Sequence, residues 1–283
     1  MRRGGASGRS PRSRFPAGAK ASEPVRSSHP NRLYASPEIY DVAFGWDLRL
    51  EMDFLESCWA THVEGPVRRI LEPACGTGRI LRALAERGYD VVGYDRSAEM
   101  VSFAARSLGG LGGKLYRGDM ISFRPPGRFD VALNLVNSIC YLLEEADVAA
   151  HLERVAEALR PGGIYIVQFS YGEEPPELAS FGPWVNRRGD VTTELTWRVL
   201  REDPAARRSY QECRIAATSG GGTVEIVEEH VLRLWTQEAF DRIIAASPFA
   251  LSAVYHDRFD PFPIDEARTG GHGNLYHVLA RAK

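Results

Sequence analysis

The sequence predicts an α/β fold organised around a nucleotide-binding sheet, with an antiparallel β insert in its second half. Three observations carry this expectation. A short apolar run, residues 69–71, meets Glu72 and a small-residue turn, and from Gly78 a helical pattern places Ile80, Leu81 and Leu84 on one face. Strand-like and helix-like segments then alternate as far as residue 169. After that the alternation lapses: residues 171–235 carry β-like runs and no convincing helix.

Composition sets the outer bounds. The chain has 283 residues, 44% hydrophobic and 25% charged, with a net charge of −2. That is an ordinary soluble composition, and the near-neutral charge argues against a nucleic-acid partner for the whole chain. No apolar run approaches the length of a membrane helix. Cys58, Cys75, Cys140 and Cys213 are scattered without a CxxC pair, so they read as free thiols of a reducing cytoplasm, and no metal-ligand cluster is visible.

Residues 1–33 are rich in Arg, Gly, Ser and Pro, with Glu23 as their acid. Such a segment buries too little apolar surface to fold, and a disordered basic tail is expected. A transit peptide, a nucleic-acid arm, a misassigned start and a dispensable tail all fit it. Residues 34–283 form the expected domain. Within it, residues 47–62 read as a helix with Leu48, Met52, Leu55 and Trp59 on its core face. Just before it, Tyr40 and Trp46 are placed to pack that helix onto the sheet.

A second strand, residues 89–95, ends in Asp95. An acid at the tip of the second strand of a βαβ unit lies beside the first loop and can accept both ribose hydroxyls of a nucleoside. Ser97 is placed to cap the following helix. A third strand ends in Gly118-Asp119-Met120, and a fourth covers residues 129–135. The helix of residues 146–159 carries Val148, Leu152, Val155 and Leu159 at helical spacing, with His151 expected at its surface or boundary. Arg160-Pro161-Gly162-Gly163 stops it before a fifth strand, residues 164–169.

The insert, residues 171–235, shows three β-like runs, at 191–200, 209–218 and 223–235, joined by short links that predict an antiparallel meander. On the last run Ile226, Glu228, His230 and Leu232 share a face. His230 and Glu228 then act on a substrate if that face covers a site, and are surface charges otherwise. The edge of such a sheet also offers a homodimer contact. Thr236 is placed to cap a helix bearing Phe240, Ile243 and Ile244, and two final strands follow, at residues 251–256 and 274–280.

A dinucleotide fingerprint would need a further glycine after Gly78, where the chain has Arg79-Ile80-Leu81. The form Glu72-x-Ala74-Cys75-Gly76-Thr77-Gly78 instead resembles motif I of class I S-adenosylmethionine (SAM) methyltransferases, with Ala74 in place of the first glycine. Leu135 to Leu142 resemble motif IV of the group that includes glycine N-methyltransferase, and Leu159-Arg160-Pro161-Gly162-Gly163 resembles the signature before the fifth strand. The resemblance spans residues ~34–283. It implies a seven-stranded Rossmann-like sheet, helices on both faces, an antiparallel last strand and methyl transfer from SAM to a small-molecule amine or hydroxyl. An RNA or protein methyltransferase and a non-catalytic SAM-binding protein are the alternatives.

Carried over residue by residue, the resemblance assigns cofactor contacts to Tyr40, Glu72, Ala74, Cys75, Gly76 and Gly78. It extends them to Asp95, Arg96, Asp119, Met120, Leu135 and Asn137. It also makes Tyr40 and Trp46 candidates for a lid over the cofactor. Asp119 would accept the adenine amino group, and the Leu135 backbone would meet the cofactor amino group. Ser138 and Tyr141 would line the methyl-transfer region. Tyr141, His230 and Glu228 are the candidates for orienting the acceptor, and neither the cofactor nor the chemistry calls for a metal.

Overall fold

The computed structural model of the chain describes residues 32–172, 180–259, 263–264 and 273–282. The expected tail falls outside them except for its last two residues, and Leu33 is fully buried, so ordered chain begins before Tyr34. The helices α1 (Pro37–Ala43) and α2 (Arg49–His62) lead into β1 (Arg69–Pro73). The alternation continues through α3 (Arg79–Glu86), β2 (Asp90–Asp95), α4 (Ala98–Leu108), β3 (Lys114–Arg117) and β4 (Phe129–Asn134). After a 3-10 turn (Ser138–Tyr141) come α5 (Glu145–Ala158) and β5 (Leu159–Phe169).

Four antiparallel strands interrupt the pattern: β6 (Ser180–Arg188), β7 (Val191–Asp203), β8 (Arg208–Ser219) and β9 (Gly222–Arg233). The chain closes with α6 (Gln237–Ala245), β10 (Phe249–His256) and β11 (Leu275–Arg281). The main sheet runs β10-β11-β5-β4-β1-β2-β3, and β11 is antiparallel to both of its neighbours. The expected seven strands and antiparallel last strand are both present.

Helices cover both faces of this sheet. Met52, Leu55 and Trp59 of α2 pack with Ile80 and Leu84 of α3 on one side; Val148, Leu152 and Val155 of α5 pack with Phe240 of α6 on the other. The predicted caps form: Ser97 Oγ accepts from Met100 N, and Thr236 Oγ1 from Ala239 N. A third cluster joins Leu33, Ile39 and Phe44 to Leu195, Cys213 and Ile226, seating the N-terminal segment on the second sheet.

Two expectations need correction. The insert has four strands rather than three. β6 went unseen because nearly all of it is exposed and it carries Pro183, so it shows no two-residue alternation. His151 is not at the surface but fully buried, on the same face as Val148 and Leu152. Its burial is tolerated because Nδ1 meets Met120 O at 3.1 Å and Nε2 meets Tyr165 Oη at 2.7 Å.

Burial pushes the His151 pKa down from 6.5 to about 4. The unfolded chain therefore binds the extra proton between these values, and stability is complete above the upper one and falls as pH drops through the window. We expect the melting temperature to decline across that interval, and His151→Leu to flatten the decline. The full contribution of one such histidine is about 3 kcal/mol. A variant that keeps the wild-type slope would contradict this assignment.

Candidate active site

The parallel strands all end at one rim, and their terminal loops open into a single cleft of about 2240 Å³. This exceeds the ~300–1,000 Å³ usual for one small ligand, and leaves room for two. One wall comes from the tips of β1, β2 and β3, and the other from the four-stranded sheet together with Tyr34, Tyr40 and Tyr141.

On the first wall, the turn after β1 places Ala74 at φ 56, Gly76 at φ 53 and Gly78 at φ 72. The two glycines serve different ends. A Cβ on Gly78 would meet Ala104 Cβ at 2.9 Å, so this glycine lets α3 approach α4. A Cβ on Gly76 would meet only Tyr40 Cε1, at 4.0 Å, so this one keeps space open beside the cleft. Asp95 accepts from Gly76 N at 2.9 Å and from Ser97 N at 2.8 Å. Burial raises its pKa, against the pull of those two donors, so the carboxylate is short of solvation and can accept further hydroxyl donors.

Beside the loop lie buried polar atoms without hydrogen-bond partners: Glu72 Oε2, Thr77 Oγ1, and both terminal nitrogens of Arg79. Desolvation pushes the Glu72 pKa well up, and the Arg79 guanidinium sits 3.9 Å from the centre of the Trp46 ring. Such unpaired groups are costly in a folded interior and mark places where a ligand can complete the bonding.

On the second wall, Tyr34 Oη lies 2.6 Å from Tyr141 Oη, which lies 3.0 Å from His230 Nδ1. His230 is 5% exposed, stacks on Trp197 and leaves Nε2 unpartnered. Burial lowers its pKa to about 4, so the ring is neutral near neutral pH. Burial also raises both tyrosine pKa values. Glu228 accepts from Leu33 N at 2.7 Å, and Trp197 Nε1 donates to Gln211, whose amide donates to Ser209 Oγ at 2.9 Å.

The cleft thus brings together Tyr40, Ala74, Gly76, Asp95, Arg96, Asp119, Met120 and Asn137 with Tyr141, Glu228 and His230. Glu72, Cys75, Gly78 and Leu135 stand behind its wall rather than on it. The Leu135 carbonyl accepts from Ser138 N at 3.3 Å and from Ser138 Oγ at 2.9 Å. Sequence reasoning missed Tyr34, Trp197, Glu202 and Arg79. Of these, only Arg79 carried a signal, as a cation directly after the glycine turn.

Residues 70–163 match the family model described as a methyltransferase domain. An N,N-dimethyltransferase of dTDP-3-amino-3,6-dideoxy-alpha-D-glucopyranose from Streptomyces fradiae is 29% identical over 213 residues, covering 74% of this chain and 82% of that protein. A glycine/sarcosine N-methyltransferase from Halorhodospira halochloris is 36% identical over 104 residues, 35% of this chain and 38% of that one. Among solved structures, the sugar N-methyltransferase KedS8 from Streptoalloteichus superposes with a TM-score of 0.70 at 22% identity. It covers 94% of this chain and 99% of its own. Fold and domain together define a SAM-dependent enzyme. The chain is a SAM-dependent methyltransferase with the class I fold, similar to small-molecule N-methyltransferases.

Asp95→Ala is expected to weaken SAM by roughly 2–4 kcal/mol, about 1–2 for each ribose hydrogen bond removed. Gly76→Val should cost more, because its side chain would occupy the space facing Tyr40. Calorimetry with SAM measures both, and unchanged affinity in Asp95→Ala would overturn the placement.

Proposed function

We propose that the chain methylates the amine of a small, sugar-like acceptor, with the four-stranded sheet as the roof of the acceptor pocket. The carrying observation is the Tyr34–Tyr141–His230 chain, which shares one cleft with the Asp95 loop. Its groups are neutral and weakly basic: two phenols of raised pKa and a histidine of lowered pKa. Such groups orient a nitrogen well but cannot deprotonate an alcohol, which would need a strong base nearby. The relatives named above are N-methyltransferases, which supports the same reading.

The residues present fit the cofactor. Asp95 would receive the ribose hydroxyls, and Asp119 and Met120 the adenine. Glu72 and Arg79, buried behind the loop wall with unpartnered atoms, would act on the charged methionine end from behind that wall. SAM supplies a methyl group already made electrophilic by its sulfonium. The protein's part is to orient the amine lone pair and keep water out, and proximity can lower such a barrier by roughly 7–11 kcal/mol. With the proton on Nδ1 shared with Tyr141, His230 Nε2 is free to accept an N–H of the acceptor amine.

One observation favours a second role for the sheet. β6 has a single neighbour, and Phe181, Trp184 and Val185 are exposed on it, as in a homodimer contact. The same side chains line the mouth of the cleft, which supports the roof. Among the described residues no helix is long and apolar enough to cross a membrane. The four cysteines are free and buried, in keeping with a cytoplasmic setting.

If the sheet is a roof, His230→Ala and Glu228→Gln should raise the acceptor KM or lower kcat roughly tenfold or more, at nearly constant SAM affinity and constant mass by light scattering. Normal acceptor kinetics combined with a dissociated assembly would favour the dimer instead.

A further inference from the structure

The acceptor half of the cleft has a marked charge. Glu144, Asp147, Glu202, Glu228, Glu229 and Asp257 all lie on its wall. Among the described residues of that half the one cationic side chain is Arg233, and it is already committed. Its Nη1 donates to Leu143 O at 2.8 Å and its Nη2 to Glu145 at 3.1 Å. The other lining arginines, Arg96 and Arg117, follow β2 and end β3, on the cofactor side.

Two further features point to what this half receives. Aromatic rings ring it: Tyr34, Tyr141, Phe181, Trp184 and Trp197. Rings of this kind attract ammonium groups through their electron-rich faces. Unpartnered acceptor capacity is also present. His230 Nε2 has no partner in a side chain only 5% exposed, and Glu202 Oε2 is buried without one while its Oε1 accepts from Ser209 Oγ at 3.3 Å. Burial raises the Glu202 pKa.

We infer that the acceptor is a cationic amine that carries no phosphate, bound in its ammonium form between the acidic wall and the aromatic rings. This rests on the methyltransferase reading above and narrows its substrate class. It also separates this chain from the Streptomyces fradiae relative, whose named substrate is linked to a nucleoside diphosphate. A diphosphate would bring two negative charges against this acidic wall, where Arg233, the cationic side chain among the described residues of that half, is already committed. The chemistry balances without another reactant. The ammonium releases one proton to bulk solvent before the transfer, its nitrogen lone pair then takes the methyl group, and the carbon–sulfur pair stays on sulfur. The product is again a cationic amine.

The test uses the full chain saturated with S-adenosylhomocysteine, titrated by calorimetry with two probes. Benzyltrimethylammonium presents a fixed cation on a ring and cannot be methylated; dTDP presents the diphosphate and base of a nucleotide sugar. The ammonium is expected to bind and dTDP is not. Glu202→Gln and Trp197→Leu should each weaken the ammonium about tenfold, while S-adenosylhomocysteine affinity stays at the wild-type value and reports the fold as intact. Tighter binding of dTDP than of the ammonium, or no ammonium binding, overturns the inference. Loss of S-adenosylhomocysteine binding by the wild-type chain would instead defeat the methyltransferase reading, so the two failures are distinguishable.

Discussion

The Asp95 carboxylate joins the turns that follow β1 and β2. One oxygen takes the Gly76 N–H from the turn after β1, and the other takes the Ser97 N–H at the start of α4. Parallel pairing of β1 with β2, Pro73 opposite Tyr94, brings these tips together, and Cys75 N donates to Tyr94 O at 3.1 Å. An acid at this position therefore has a structural task before any ligand arrives. Its remaining lone pairs are what a nucleoside can use, and its incomplete solvation makes further donors favourable.

The four-stranded sheet is tied to the Asp95 loop through the N-terminal segment. Ser97 Oγ donates to Tyr34 O at 3.1 Å, while the neighbouring Leu33 N donates to Glu228 on β9. Asn186 of β6 donates to Ala43 O at 2.8 Å, and Arg188 pairs with the buried Asp41 of α1. On the far side, Arg208 and Arg233 converge on the Leu143 carbonyl beside the motif that follows β4. The second sheet is thus tied to the core at both ends of the cleft. Tyr34 lies on the tie that reaches both Ser97 beside the Asp95 loop and Tyr141 on the opposite wall of the cleft.

Legibility in the sequence followed locality. β1, β2, β4 and β5 are apolar runs bounded by acids or glycines, and the Ser97 and Thr236 caps depend on residues three positions apart. These were readable because their causes are adjacent in the chain. The pairing of Tyr141 with His230 spans 89 positions and that of Tyr34 with Tyr141 spans 107, so neither partner could be inferred from spacing. His230 and Glu228 were found as the polar members of one strand face, without their contacts. His151 was misplaced because its polar partners, Met120 O and Tyr165 Oη, come from elements that the helix pattern does not reveal. Alanine at position 74, where the resembling motif has glycine, is a matter of backbone conformation, because its φ is 56.

That backbone conformation recurs where the cleft is built. Among the described residues other than glycine, Ala74, Val136, Asn137, Arg207 and Phe259 have positive φ, and the first three line the cleft. Val136 is the most demanding, because a β-branched side chain crowds the left-handed region, and such positions cost about 1–3 kcal/mol each. It is held there by Gln168 Oε1, which accepts from Val136 N at 2.7 Å, and by Ser138, which closes on the Leu135 carbonyl. A relaxed chain after β4 would continue extended and carry Tyr141 away from His230. The strain bends it into the 3-10 turn that presents Asn137 and Tyr141 to the cleft. Stability given up at the tips of β1 and β4 is therefore what sets the glycine turn and the Tyr141 phenol on one cleft, and the packing of the two helical layers beneath them is what sustains it.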